Sequence, residues 1–409
     1  MTNSCTAPHA HRIAYFISPH GFGHAARAAG IMAAMQESDA SIRFEIFTQV
    51  PRWFFDDSLA STGRQTSATG LSALRATNSG GSTGEQCAVR STSAFGYHEL
   101  LTDIGLVQKT SLIADLPATL RRLGDFFPFD HAKITALARR IQSLKCAMIV
   151  CDIAPLGIAV AQEAGIPSVL VENFTWDWIY QEYAPHESAM GAYIDYLRDV
   201  FGAADYHVQT EPVCDQYRVD LTTWPVSRKT RMPATQVRDL LTIPHGAKTV
   251  MLTMGGIPAQ YPFLHRLADL GAIFFVIPGG STSMQIRENV ILLPHHTKIF
   301  HPDLVNACDV VIGKAGYSTV AEVYHAGIPF GYITRQRFRE SHILAAYIDK
   351  HMRGLPITQA QFHDGSWLSS LPELLALPRM HRSHPNGADQ AARFLYQILC
   401  DGDRASGGG

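Results

Sequence analysis

Two stretches bring together residue types whose spacing could support chemistry. In the first, RIAYFISPHGFGHAARAAGIMAAM at 12–35, His24 and Arg27 flank a turn that holds Gly21 and Gly23. The glycines would let a ligand come close to the backbone, and the first turn of the following helix would offer unpaired N–H groups to an anion or a polar substrate group. In the second, DVVIGKAGYSTVAEVYHAGIPFGYIT at 309–334, Lys314, Gly316, Ser318 and Thr319 lead into Glu322. Free N–H groups, two hydroxyls and an ammonium could hold a diphosphate there. Glu322, about one turn into the helix, could accept two hydrogen bonds from a ribose diol. Each stretch also has a plainer reading, a βα turn with a surface histidine and a capped helix with a solvated glutamate.

The elements that must position these residues read as alternating strands and helices. The run 13–17 is a buried strand stopped by Ser18, Pro19 and Gly21, and the alanine-rich stretch 25–35 is a helix that packs back onto it. Strands follow at 42–48, 147–151, 167–171 and 204–209, with helices at 112–123, 134–143 and 155–164, the last stopped by Gly165. A second α/β unit begins near Lys248, with strands at 249–253, 272–277, 290–293 and 309–313. Its glycine-rich loops carry Gly255, Gly256, Gly279 and Gly280, and the Pro294-His295-His296 loop places His295 beside them. Ser318 and Thr319 are expected to cap the helix that Gly327 ends. Ligands in open α/β sheets bind beyond the carboxyl ends of strands, which makes Asp152, Glu172 and Asn173 candidates to line a cleft.

The organisation expected is a domain at 1–225, a second at 245–387 and a closing helix at 388–400 that could return to the first. The Ser/Thr/Gly-rich stretch 58–93 reads as a flexible surface insertion. With 409 residues, 46% hydrophobic content and a formal charge of −2 from 34 basic and 36 acidic residues, nothing global suggests a nucleic-acid partner. No apolar run approaches a membrane span and no secretory leader is visible, so a cytoplasmic location is expected. Seven scattered cysteines without a CxxC pair suggest neither a disulfide framework nor a zinc site. In ENFTWDWIYQEY at 172–183, aromatic residues alternate with Asn173, Asp177 and Glu182. Aromatic faces can stack on a sugar ring while amides and carboxylates take its hydroxyls, and the same residues could equally be core.

Two such halves resemble the two-domain GT-B glycosyltransferases, in which two Rossmann-like, doubly wound parallel sheets face each other across a cleft. Within them the chain resembles the family-28 and MurG-like group, closest to the glycosyltransferase-like N-terminal region of L-arabinokinases. The resemblance rests on HGFGHAAR at 20–27, LLTDIGLVQ at 100–108, AGIPSVLVENFTWDWIYQEY at 164–183 and GKAGYSTVAE at 313–322. It implies a nucleotide-sugar donor, most simply a UDP-sugar, on the C-terminal side at Gly255, Gly256, His295, Lys314, Gly316, Ser318, Thr319 and Glu322. It implies an acceptor at Gly21, Gly23, Asn173, Trp176 and Asp177. Stretch 336–341 has no clear counterpart of the donor-binding glutamine of the MurG-like enzymes.

The mechanism expected on this basis is an inverting transfer with His24 as general base, its ordinary pKa of about 6.5 suiting that role. Asp103 is the first choice for the carboxylate that orients it and Asp177 the second. The leaving diphosphate would be stabilised by N–H donors, so no cofactor or metal is expected, and no Asp-x-Asp motif is present. The alternatives are a UDP-sugar 2-epimerase and a non-catalytic nucleotide-sugar sensor.

Overall fold

The computed structural model describes residues 11–60, 95–110, 112–255 and 261–406. The first sheet comprises β1 (Arg12–Ile17), β2 (Arg43–Thr48), β3 (Phe95–Glu99), β4 (Cys146–Asp152), β5 (Ser168–Glu172), β6 (Tyr206–Thr210) and β7 (Leu221–Thr223). They lie in the order β3-β2-β1-β4-β5-β6-β7, every neighbouring pair parallel. The second comprises β8 (Lys248–Thr253), β9 (Ile273–Pro278), β10 (Gln285–Arg287), β11 (Val290–Leu293), β12 (Val310–Lys314), β13 (Phe330–Ile333) and β14 (Gly354–Pro356). Their order is β10-β11-β9-β8-β12-β13-β14, antiparallel only at β10–β11.

The apolar runs are continuous because both faces of each sheet are covered. In β1, Ile13, Tyr15 and Ile17 enter one core cluster while Ala14 and Phe16 enter the other, as a two-residue period requires. Burying each such Ile or Phe contributes roughly 1.5–3 kcal/mol. The helix Gly23–Ser38 lies on the first of these clusters through Ala25, Ala28, Ala29, Ile31, Met32 and Met35. Its small residues let it approach closely: a Cβ at Gly30 would lie 3.0 Å from the Ser227 carbonyl.

In both sheets the strand order reverses beside the first strand, between β1 and β4 and between β8 and β12. At such switch points the loops leave in opposite directions and open a crevice past the carboxyl ends. Both crevices hold the glycine-bearing turns singled out in the sequence, and they face each other: a Cβ at Gly23 would lie 3.8 Å from Ser318 Oγ.

The chain passes from the first sheet to the second after β7 and returns before the helix Gly387–Ser406, whose Ala388, Ala391 and Leu395 join the core of the first sheet. The outgoing and returning segments are bonded to each other. Asn386 Nδ2 donates to Ser227 O at 3.0 Å, and Gly387 N donates to Pro225 O at 3.1 Å.

Some elements differ from expectation. The helix expected from 112 begins at Leu116, because Asp115 caps it by accepting from Ala118 N. Most of the stretch expected to be a flexible insertion, 61–93, lies outside the described residues. Its first positions are packed, since Ser58 ends the helix Arg52–Ser58 and both Ser58 and Leu59 are buried. Among the described residues no helix is long and apolar enough to cross a membrane.

Candidate active site

At the β1/β4 switch point, Ser18 follows β1 and Asp152 ends β4, joined by a Ser18 N to Asp152 O bond of 3.2 Å. The helix Gly23–Ser38 starts above them, and its residues 24 and 27 share one face, three positions apart. Both side chains converge on Asp152. His24 Nδ1 is 3.0 Å from Oδ1, Arg27 Nε donates to Oδ2 at 2.8 Å, and Arg27 NH2 donates to Oδ1 at 2.6 Å. Burial opposes the Asp152 charge. The Arg27 guanidinium and the hydrogen bonds from Arg27 and His24 outweigh it and hold the carboxyl below its ordinary range. An ionised carboxylate only accepts, so His24 Nδ1 donates to it, and in the neutral ring this tautomer makes Nε2 the accepting nitrogen. Arg27 also donates to Asn173 Oδ1 at 2.7 Å and stacks 4.7 Å from the Tyr317 ring centroid across the interface.

The carboxylate that orients His24 is therefore Asp152, rather than either residue expected for the role. Asp103 accepts from Ser18 Oγ and from Trp176 Nε1, both at 3.1 Å, and burial pushes its pKa up to about 7 against those two bonds. Asp177 is buried on the short helix Trp176–Tyr180 with no hydrogen-bond partner for Oδ1. Trp176, expected on the acceptor side, is buried and lies edge-on to His20 and His24. The aromatic stretch 174–183 is thus mainly core that walls the histidine pair. Asn173 is buried and bridges the sheets, accepting from Arg27 and donating to Glu340 Oε1 at 3.0 Å.

On the other side of the helix start, Phe22 and Ala26 face a cavity of about 310 Å³ between the sheets, within the size range of small-molecule sites. Its opposite wall is formed by Thr253, Gly255, His295, Ser318, Thr319 and Glu322. Gly256 lies outside the described residues. Gly21 and Gly255 both take positive φ, +74° in each case, a conformation that favours glycine. The helix Tyr317–Ala326 is capped by Gly316 without any side-chain bond, so Ser318 and Thr319 sit inside the helix rather than at the cap. Val320 N is the first amide bonded back, to Gly316 O, which leaves the amides of Tyr317, Ser318 and Thr319 outside the helical ladder. His295 packs 5.5 Å from the Phe22 ring.

Glu322 lines this cavity but is already engaged. Arg228 donates to Oε1 through Nε at 3.2 Å and NH2 at 2.8 Å, and His301 Nδ1 lies 2.7 Å from Oε2. Burial works against its charge, yet these partners bring its pKa down to about 2. One lone pair of Oε2 is left for a ligand, short of the two contacts expected for a diol. Arg228, His301 and Trp53 were not among the residues expected at the site, since nothing in their local spacing marks them, and Phe22 was passed over between the two glycines that flank it. Among the described residues no group of three or more His, Cys, Asp or Glu side chains is placed to hold a metal ion.

No protein-family model matches the chain. An L-arabinokinase from Arabidopsis thaliana is 24% identical over 406 residues, covering 96% of this chain; the chain spans 35% of that kinase's length. Among solved structures, the glycotransferase of kitacinnamycin superposes with a TM-score of 0.57 at 14% identity, covering 96% of this chain and 95% of that one. The spinosyn forosaminyltransferase gives 0.53 at 14% with the same coverage. A Medicago truncatula UGT complexed with UDP-glucose gives 0.52 at 11%, covering 95% and 94%. The fold is α/β of the GT-B type. The likeness extends over nearly the whole chain and so takes in both sheets.

Proposed function

We propose that the chain transfers a sugar from a nucleoside diphosphate donor, a UDP-sugar above all, to an acceptor hydroxyl with inversion. The observation that carries this is the pairing of an Asp152-oriented His24 at one switch point with an open helix start at Gly316–Thr319 on the facing one. The glycosyltransferase neighbours, one of them holding UDP-glucose, support the same reading.

In this reading the donor diphosphate lies against the amides of Tyr317, Ser318 and Thr319, where the helix dipole favours negative charge. The nucleoside lies towards Glu322, with the Phe22 and Trp53 rings on the opposite wall. His24 Nε2 accepts the proton of the acceptor hydroxyl as its oxygen attacks the anomeric carbon. The bond from that carbon to the diphosphate oxygen breaks, and the electron pair leaves with the nucleotide. Asp152 keeps Nδ1 protonated throughout, and the chain's own donors carry the developing charge on the leaving group.

The test is to incubate the protein with a panel of nucleotide sugars, with and without sugar acceptors, and to follow free nucleotide and product. Nucleotide released only when acceptor is present supports transfer. Isomerised donor without acceptor would mean a 2-epimerase, and binding without turnover across the panel would mean a sensor.

A further inference from the structure

The β8/β12 switch point holds more positive charge than its partners balance. Arg335, two residues beyond β13, is buried; its Nε has no hydrogen-bond partner, and its guanidinium lies 3.3 Å from the Phe338 ring centroid. The nearest carboxylate oxygen, Glu340 Oε2, is 3.7 Å from NH2, beyond a good hydrogen bond, and the other oxygen of Glu340 accepts from Asn173. Lys314, at the end of β12, is half-buried against the cavity wall: a Cβ at Gly255 would lie 3.4 Å from its Nζ. No ion pair or side-chain hydrogen bond of Lys314 is formed among the described residues. Desolvation, followed by the Arg335 charge, brings its pKa down to about 7, with Glu340 opposing. His20 stands near both as a neutral ring, pushed well below its ordinary value by burial and by Arg335, His24 and Lys314.

Two cations thus stand near one carboxylate that is itself partly committed to Asn173. Leaving a buried charge short of a partner is costly, and a guanidinium edge with a free Nε is the shape that takes an oxyanion side-on. We propose that this recess receives an anionic group of the substrate, a carboxylate or a phosphate, held by Arg335 and Lys314. The inference rests on the sugar-transfer reading for the placement of the rest of the substrate. The anion could belong to the transferred sugar, as in a uronic acid donor, or to the acceptor, as in a sugar acid or sugar phosphate.

Calorimetry on the full chain and on Arg335→Gln and Lys314→Met tests it in two arms. The donor arm titrates UDP, UDP-glucose and UDP-glucuronate. The acceptor arm titrates glucose, glucuronate and glucose 6-phosphate, with and without saturating UDP. In one arm the charged compound should bind at least about tenfold more tightly than its neutral counterpart, and Arg335→Gln should erase that preference while still binding UDP. Arg335→Lys, which keeps the charge without the fork, should retain part of it. Because Lys314 is partly deprotonated near neutrality, binding of the anion should take up a proton, seen as a buffer-dependent heat that Lys314→Met loses. Equal handling of charged and neutral compounds in both arms overturns the proposal, as does an Arg335→Gln variant that weakens both alike. If UDP and UDP-glucose fail to bind but glucuronate or glucose 6-phosphate keeps an Arg335-dependent advantage, the sugar-transfer reading falls and the anion recess stands.

Discussion

His24 Nδ1 lies 3.0 Å from Asp152 Oδ1, on a carboxylate that Arg27 also grips through Nε and NH2. Because Arg27 already neutralises Asp152, the carboxylate adds little electrostatic support to an imidazolium; what it supplies is the tautomer and the aim of the ring. His24→Gln should therefore slow transfer by roughly 10²–10⁴-fold, the usual size of a lost general base. Nucleotide-sugar affinity should stay near that of the unaltered protein, since Phe22 and Ala26 rather than His24 face the cavity. Steady-state rates beside a binding isotherm check both halves. A variant that turns over normally at saturation but binds donor much more weakly would place the diphosphate at the first glycine turn.

Asp152→Asn should lose both activity and stability, for separable reasons. It leaves the Arg27 charge buried without its partner, a cost of about 3–5 kcal/mol. Pairing it with Arg27→Met removes the stranded charge, so chemical unfolding of the double variant should recover much of the loss. Activity should not recover, because the His24 tautomer remains unset. Recovery of both together would make Asp152 a purely structural anchor.

Asp103 gives a pH signature of definite sign. Its folded pKa is raised to about 7 against an ordinary 3.8, so the folded state holds more protons in that interval. Stability from this group should fall as pH rises from about 4 to 7. Asp103→Asn, whose amide can accept from Trp176 and donate to Ser18, should be relatively more stable at pH 8 than at pH 4. Glu172, also raised to about 7 by burial, contributes the same slope in both proteins. The difference between the two urea-unfolding profiles isolates Asp103, and parallel profiles would count against its neutral form.

Glu322 behaves oppositely. Its pKa is depressed from 4.5 to about 2, so the stability it adds is fully present above pH 4.5 and is lost as pH falls toward 2. Glu322→Gln should remove that acid-side slope. A double-mutant cycle with Arg228→Met should give a coupling of roughly 3 kcal/mol, since both side chains are more than nine-tenths buried. Additive effects would mean that the pair is held by its surroundings rather than by each other.

The alternation of strands and helices is plain in the sequence because parallel strands covered on both faces, such as β1 and β12, are unbroken apolar runs flanked by glycine and proline. The short strands β10 and β14 and the helix Glu340–His351 carry no such run, and they were missed. His24 was found because it shares a turn with two glycines. Asp152 stood out only as a polar residue at a strand end. Its pairing with His24, 128 positions away, depends on β1 and β4 being neighbours, and strand order leaves no trace in local periodicity. The partners of Glu322 were hidden for the same reason. Arg228 comes from the connection between the sheets and His301 from a separate helix start, so a glutamate that reads as solvated is an ion-paired wall.

The two connecting segments, bound side by side through Asn386 to Ser227 and Gly387 to Pro225, tie the two halves together twice at one place. A single tether would let the halves swivel and twist. Two tethers clasped together resist twist between the halves more than one would, which favours keeping the facing turns at Gly23 and Gly316 in one register. A ligand in the cleft would then meet the histidine and the open helix start already held in one relative position, with no search over orientations.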